Sequence, residues 1–294
     1  MIYMSDSNGN LIPVANDNQG NIIINQSNTN LLLNSTFKIN QREGTSYTGS
    51  DDDYVYTVDR WRINGSSASA TQDATTLKWT FTNNFEQVIE NYEDFQGLKV
   101  TASIKWSQFT GSGTLEIYDG VETSSVNLES SKTFASVTHT VNENATTLIL
   151  RVVTTSITPI YCKLEIGKNA TPNIPRQPSE ELWLCQRYYV KVHCEGQTGT
   201  MQTALAIKPL FVLPNSLRAN PTIIPITYPL VVGEDTNGNF VKFKTTKWVL
   251  SKLLNNQVFM MLTTGGNDTV INFKQYNFYC LKNGYLAFDA EIYN

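Results

Sequence analysis

The chain has 294 residues, 40% of them hydrophobic and 16% charged, with a formal net charge of −4. That length predicts about two domains. No Lys/Arg run exceeds two residues, which excludes the electrostatic footprint of a nucleic-acid binder or of a protein held on an anionic membrane.

The first 30 residues are polar and rich in Asn and Gly, with one short apolar run, Ile22-Ile23-Ile24. Such a segment buries too little surface to offset its ordering entropy, so an arm over residues 1–30 that orders against a partner is expected. It carries no basic stretch followed by an apolar one, so no secretory signal is expected. No apolar run approaches the ~20 residues of a membrane-spanning helix, and no membrane insertion is expected.

From Leu31 the pattern changes to short strands between turn clusters. Leu77, Trp79 and Phe81 alternate with polar neighbours, as do Leu98, Val100, Ala102, Ile104 and Trp106. Strands follow over 114–118, 147–153 and 161–166. Period-2 alternation of this kind predicts antiparallel sheets stacked as a sandwich or jelly roll over 31–168. The outward positions would carry Lys78, Thr101, Ser103, Lys105, Glu116, Tyr118, Tyr161, Lys163 and Glu165. Three prolines in 169–179 predict a linker. Ser179 before Glu180 and Glu181 predicts a helix start, with Leu182, Cys185 and Tyr189 on one face. Strand patterns then resume, with Asn237-Gly238 and Asn283-Gly284 as hairpin turns. The expected fold is therefore all-β: a jelly-roll or β-sandwich domain, then a second β-rich, sandwich-like domain over 180–294 opened by a short helix.

Enzyme signatures are absent. No P-loop, G-x-G-x-x-G, G-x-S-x-G or H-E-x-x-H occurs, and no cofactor is expected. The four cysteines at 162, 185, 194 and 280 show no C-x-x-C spacing and are expected to be free and reduced. His139 shares a strand face with Val137 and Val141 and is expected to pack. His193 and Cys194 are strand neighbours that point to opposite faces. Asp51 and Asp53, in the longest charge run, are candidate calcium ligands, with a solvated loop as the plain alternative. Trp61, Trp79 and Trp106 are expected in cores, which removes the usual aromatic platform for a sugar. Tyr118, Tyr161, Lys105 and Glu116 remain as the candidate glycan-binding surface.

Two stretches resemble a known family. Asn30-Leu-Leu-Leu-Asn-Ser-Thr-Phe-Lys-Ile-Asn-Gln-Arg42 and Tyr56-Thr-Val-Asp-Arg-Trp-Arg62 resemble the opening of a phage and prophage tail-fibre or minor virion protein family. Leu164-Glu-Ile-Gly-Lys-Asn-Ala-Thr171, followed by Glu180-Glu-Leu-Trp-Leu-Cys-Gln-Arg-Tyr-Tyr189, is similar to a later family pattern. Leu217-Arg-Ala-Asn-Pro-Thr222 is a further match. The resemblance implies a first domain like carbohydrate-binding modules and a homotrimeric virion appendage, a tail or head fibre that recognises a host-surface glycan. Its arm would dock on other virion proteins. The particle would assemble in the host cytoplasm and leave by lysis. A purely structural head-fibre, collar or decoration protein is the alternative, and a glycan depolymerase using paired carboxylates such as Glu90, Glu93, Asp94, Glu116 and Asp119 is a third.

Overall fold

The computed structural model describes residues 2–5, 11–16, 22–23, 28–193, 198–203, 206–219, 221–225, 230–234, 240–254, 257–264, 275–279 and 285–292. The chain is β-rich, its sheets are antiparallel, and it divides into two compact units. The first unit comprises Met1–Lys38, Gly44–Thr57 and Trp61–Arg176; the second comprises Ile39–Glu43, Val58–Arg60 and Gln177–Asn294. Two short segments of the first half thus belong to the second unit. The turns at Asn237-Gly238 and Asn283-Gly284, and Cys194 and Cys280, lie outside the described residues.

Within the segment read as an arm, β1 (Ile2–Ser5), β2 (Leu11–Asn16) and β3 (Ile22–Ile23) pair in that order. The next strands are β4 (Ser46–Thr48), β5 (Val55–Tyr56), β6 (Arg62–Ile63), β7 (Ser69–Gln72) and β8 (Trp79–Val88). β9 (Lys99–Tyr118), β10 (Thr123–Asn127), β11 (Phe134–Thr140) and β12 (Ile149–Ile166) complete the first unit. The sheet order is β10-β9-β12-β8-β6-β5, with β11 also on β9, β7 on β8 and β4 on β7.

The 20 residues of β9 would run about 66 Å if straight, whereas a chain of this unit's size has a radius of gyration of about 15 Å. The strand must bend. Register shifts at Thr154/Ser156, Thr158/Pro159 and Pro159/Tyr161 in its pairing with β12 supply the bulges that bend it, a device by which one strand serves both layers of a sandwich.

The alternation read from sequence sets the core. Val100, Ala102, Ile104 and Trp106 are buried, as are Trp61 and Trp79. Phe37, Trp61, Phe81 and Phe85 form one aromatic cluster, with ring centroids 4.3 Å apart for Phe81–Phe85 and 4.7 Å for Phe37–Trp61. Each such side chain contributes roughly 1.5–3 kcal/mol by leaving water.

One part of the outward face departs from the expectation. Thr101, Ser103, Lys163 and Glu165 are buried, because the chain after β12 turns back over them. Lys163 Nζ donates to Thr171 Oγ1 at 2.6 Å and to the Pro172 carbonyl at 3.0 Å. Glu165 accepts from the Thr171 N–H at 2.8 Å and lies 3.1 Å from Lys163 Nζ. Asn30 ties the start of the unit to the same place, donating to the Cys162 carbonyl at 3.0 Å and accepting from the Leu164 N–H at 3.1 Å. A buried charge needs a partner and hydrogen bonds, and this returning segment supplies both.

The second unit opens with α1 (Pro178–Cys185). Its N-cap is Gln177 rather than Ser179: Pro178 takes the first helical position, where the missing N–H costs nothing, with Glu180 and Glu181 in the first turn. Next come β13 (Tyr189–His193), β14 (Thr198–Thr203), β15 (Ala206–Val212), β16 (Thr222–Pro225) and β17 (Leu230–Glu234). β18 (Phe240–Leu254), β19 (Gln257–Thr264), β20 (Gln275–Tyr279) and β21 (Tyr285–Asp289) follow. β13-β21-β16 form one sheet, and β14-β15-β19-β18-β17-β20 close into a barrel, a sheet packed on itself. Val190, Leu213, Leu217, Leu286 and Phe288 form a core beneath the three-stranded sheet.

Beside that core lies a buried ion network. Arg60 Nη1 donates to Glu291 Oε2 at 2.5 Å, and the Arg60 N–H donates to Oε1 of the same residue at 3.3 Å. Arg42 reaches Asp289 at 3.2 Å, Glu291 at 3.6 Å and Asp59 at 3.8 Å. Its guanidinium stacks on Tyr189 at 3.9 Å, and that of Arg60 stacks on Tyr188 at 3.6 Å. Gln41 clamps Asp59 through its backbone N–H at 2.9 Å and its amide at 2.5 Å, and the same amide donates to the Tyr189 carbonyl at 2.7 Å.

Burial raises the Asp59 pKa from 3.8 to about 6, against the opposing pull of Arg42 and Gln41. A carboxyl with a raised folded pKa is charged at a cost above about pH 6, and that cost is relieved as pH falls toward 4. The second unit should therefore gain on the order of 2 kcal/mol from this group between pH 7 and pH 4. Asp59→Asn should remove that difference, as read by calorimetric Tm against pH. Glu291→Gln, which leaves two buried guanidinium groups short of a carboxylate, should cost about 3–5 kcal/mol in denaturant unfolding.

Candidate functional site

A groove of about 840 Å³ runs over the outer face of β8, β12, β9 and β10. Its origin is local. Gly111 has φ +81°, and a Cβ there would strike the Thr155 side chain. At Gly113 a Cβ would lie 2.7 Å from the Val153 carbonyl oxygen, so only glycine lets β9 lie this close to β12 at the Thr154/Ser156 bulge.

The pairing register sets this face of the sheet in rungs, of which Asn84, Val153, Thr114, Asn127 and Arg151 line the groove. One rung runs Asn84, Val153, Thr114, Asn127; the next runs Arg62, Glu86, Arg151, Glu116, Ser125; a third runs Val88, Ile149, Tyr118, Thr123. Residues two apart on a strand share a face, so the three rungs form one surface.

The middle rung is a charge ladder. Arg62, 1% exposed, donates to Glu86 Oε1 from Nε at 2.9 Å and Nη2 at 2.7 Å. Arg151 Nε donates to Glu86 Oε2 at 2.6 Å. Tyr54 stacks on Arg62 at 3.5 Å, and Arg151 lies 5.9 Å from the Tyr118 ring centroid. Burial works against the Arg151 cation, yet Glu86 and Glu116 outweigh it and raise its pKa. The terminal N–H groups of Arg151, and the side-chain amides of Asn64 and Asn127, have no hydrogen-bond partner among the described residues, and all three residues line the groove. The hydroxyl of Thr154, another lining residue, is also without one. Val153, 40% exposed, supplies an apolar floor.

The four candidate residues fall in two places. Glu116 and Tyr118 lie on the same sheet face as the groove but outside its lining, with Thr114 Oγ1 donating to Glu116 at 2.7 Å. Lys105 and Tyr161 are cross-strand partners at the far end of the same two strands. The groove's amides escaped the sequence reading because Asn signals turns, and Arg151 because the strand over 147–153 was given no outward residues; its buried positions are Leu150 and Val152.

Asp51 borders the groove and accepts from the Ser66 N–H at 2.7 Å, which lowers its pKa. Asp53 accepts from the Tyr54 N–H at 2.8 Å. Among the described residues no three His, Cys, Asp or Glu side chains gather as metal ligands.

His139 is buried, with Ser124 Oγ 2.8 Å from Nδ1 and Asp119 Oδ2 2.9 Å from Nε2. The arrangement resembles a nucleophile relay, but Asp119 is spent on its turn. It accepts from the N–H groups of Val121, Glu122 and Asn142. Burial pushes its pKa up, and these donors with His139 bring it down to about 2. None of the three borders the groove.

No family model matches the chain, and no curated protein matches its sequence. Among solved structures, the N-terminal CBM22-1–CBM22-2 tandem domain of Paenibacillus barcinonensis Xyn10C is similar over 91% of this chain and 97% of that one, at 11% identity and a TM-score of 0.31. A likeness at that level carries no functional argument, and the site rests on its own geometry.

Glu86→Gln should cost about 3–5 kcal/mol in urea unfolding, because it leaves Arg62 buried beside a neutral amide.

Proposed function

We propose that the chain is a non-enzymatic glycan-recognition subunit, and that the groove of the first unit is its binding surface. The observation that carries the reading is the set of unpaired planar donors in that groove: the Arg151 guanidinium edge and the amides of Asn64 and Asn127. A sugar presents pairs of hydroxyls to such groups and an apolar C–H face to a patch such as Val153. Along the middle rung Arg62 and Arg151 offset Glu86 and Glu116, which favours a ligand rich in hydroxyls over a strongly charged one. Tyr54 and Tyr118 flank the surface as polar aromatics.

The resemblance of the motifs at 30–42, 56–62, 164–171 and 180–189 supports placing this activity on a phage appendage, a tail or head fibre. There the subunit assembles as a homotrimer and docks on other virion proteins through residues 1–30.

The test is binding to immobilised bacterial surface polysaccharides, capsular and teichoic, read by surface plasmon resonance. Val153→Arg fills the groove from an exposed position and should abolish binding with Tm unchanged. Asn127→Ala should weaken it by about threefold to tenfold, the worth of one hydrogen bond. Lys105→Ala and Tyr161→Ala should bind as the parent does. Equal binding by Val153→Arg and the parent would remove the groove from the function.

A further inference from the structure

We infer that the first unit holds a second binding site, unrelated to the groove, for a small amphiphilic anion: an aryl or short-acyl body carrying a carboxylate, phosphate or sulfonate. The site is a cavity of about 510 Å³, within the range of roughly 300–1,000 Å³ usual for small-molecule pockets. Phe37, Leu77, Trp79, Pro159 and Ile160 make its walls, and Lys38 and Lys78 stand among the lining residues with no carboxylate beside them.

Both lysines are exposed, and neither has an ion partner among the described residues. The nearby Asp73 is not among the lining residues, and its carboxylate faces its own turn. It accepts from the Thr75 N–H at 3.1 Å, the Thr76 N–H at 2.6 Å and the Thr76 hydroxyl at 2.8 Å. The charge that the pocket offers is positive, and its body is apolar.

Two features show side chains held out into this pocket against the ordinary preference of the backbone. Leu77 sits at φ +56°, a left-handed conformation that a leucine rarely adopts, and is 65% exposed. The turn that holds it is closed by the Leu77 N–H on the Asp73 carbonyl and the Asp73 N–H on the Lys78 carbonyl, both at 2.9 Å. Glycine would suit that conformation better and a polar side chain would suit that exposure better, so the fold gains nothing from leucine here. Strain kept at an exposed residue points toward function. Ile160, 42% exposed, follows Pro159, where the ladder to β9 breaks register on both sides. The Trp79 ring, 2% exposed, closes the same wall.

The probe is 1-anilinonaphthalene-8-sulfonate, an aryl body with a sulfonate, titrated into the intact chain and followed by fluorescence. Saturable binding is expected, displaced by octanoate and much less by octanol. Leu77→Gly should raise Tm, because it relieves the strained φ, and should still weaken the probe severalfold. Lys38→Glu with Lys78→Glu should weaken it by about fivefold to tenfold, as expected for two exposed ion pairs. Val153→Arg should leave probe binding intact, and Leu77→Gly should leave polysaccharide binding intact, so the two sites stand or fall separately. Absence of saturable binding, or equal probe affinity in Leu77→Gly, in the double lysine variant and in the parent, would overturn the inference.

Discussion

A guanidinium that has left water must meet a carboxylate, and in the second unit this requirement fixes which parts of the chain come together. Arg60, 2% exposed, is matched to Glu291, 231 positions later in the sequence, and Arg42 is shared among Asp59, Asp289 and Glu291. Leaving either cation without these partners would cost several kcal/mol, a large part of the margin on which a domain of this size is stable. The aromatic faces of Tyr188 and Tyr189 complete the enclosure. Segments 39–43 and 58–60 belong to the second unit for this reason.

The first unit meets the same requirement differently. Glu86 is the single buried anion on its rung and takes Arg62 from one side and Arg151 from the other. Arg62 is fully committed, whereas Arg151 is held by one nitrogen and keeps its terminal N–H groups for the groove. One side chain therefore closes a structural ladder and lines the groove. The charged groups of the two units have separate roles: those around Arg60 hold the fold, and those around Arg151 also face outward.

Much of the fold was legible from the sequence, because alternation reports burial directly when one face of a strand is dry and the other wet. Val100, Ala102, Ile104 and Trp106 follow that rule. Thr101, Ser103, Lys163 and Glu165 break it, since alternation cannot foresee that residues 167–172 return over the outer face. The motifs that hold Gln41-Arg42, Asp59-Arg60 and Tyr188-Tyr189 were legible as a pattern and silent about purpose; in the structure these six residues converge on one buried network. Parity placed Glu116 and Tyr118 on the sheet face that carries the groove, but the groove itself depends on a bulge made possible by Gly111 and Gly113, and a bulge shifts the very parity from which faces are read.

The interleaving of segments 39–43 and 58–60 with the second unit bears on how such a chain can diversify. A crossover at the proline run would appear to exchange one module for another. It would in fact separate Arg42 and Arg60 from Asp289 and Glu291, and the hybrid would inherit mismatched charges in a dry interior. Shuffling of the C-terminal half is confined to donors that keep Asp289 and Glu291, or to exchanges that bring the two small upstream loops along. Groove side chains such as Asn127 and Val153 are tied to no such buried partner and are free to change without this penalty.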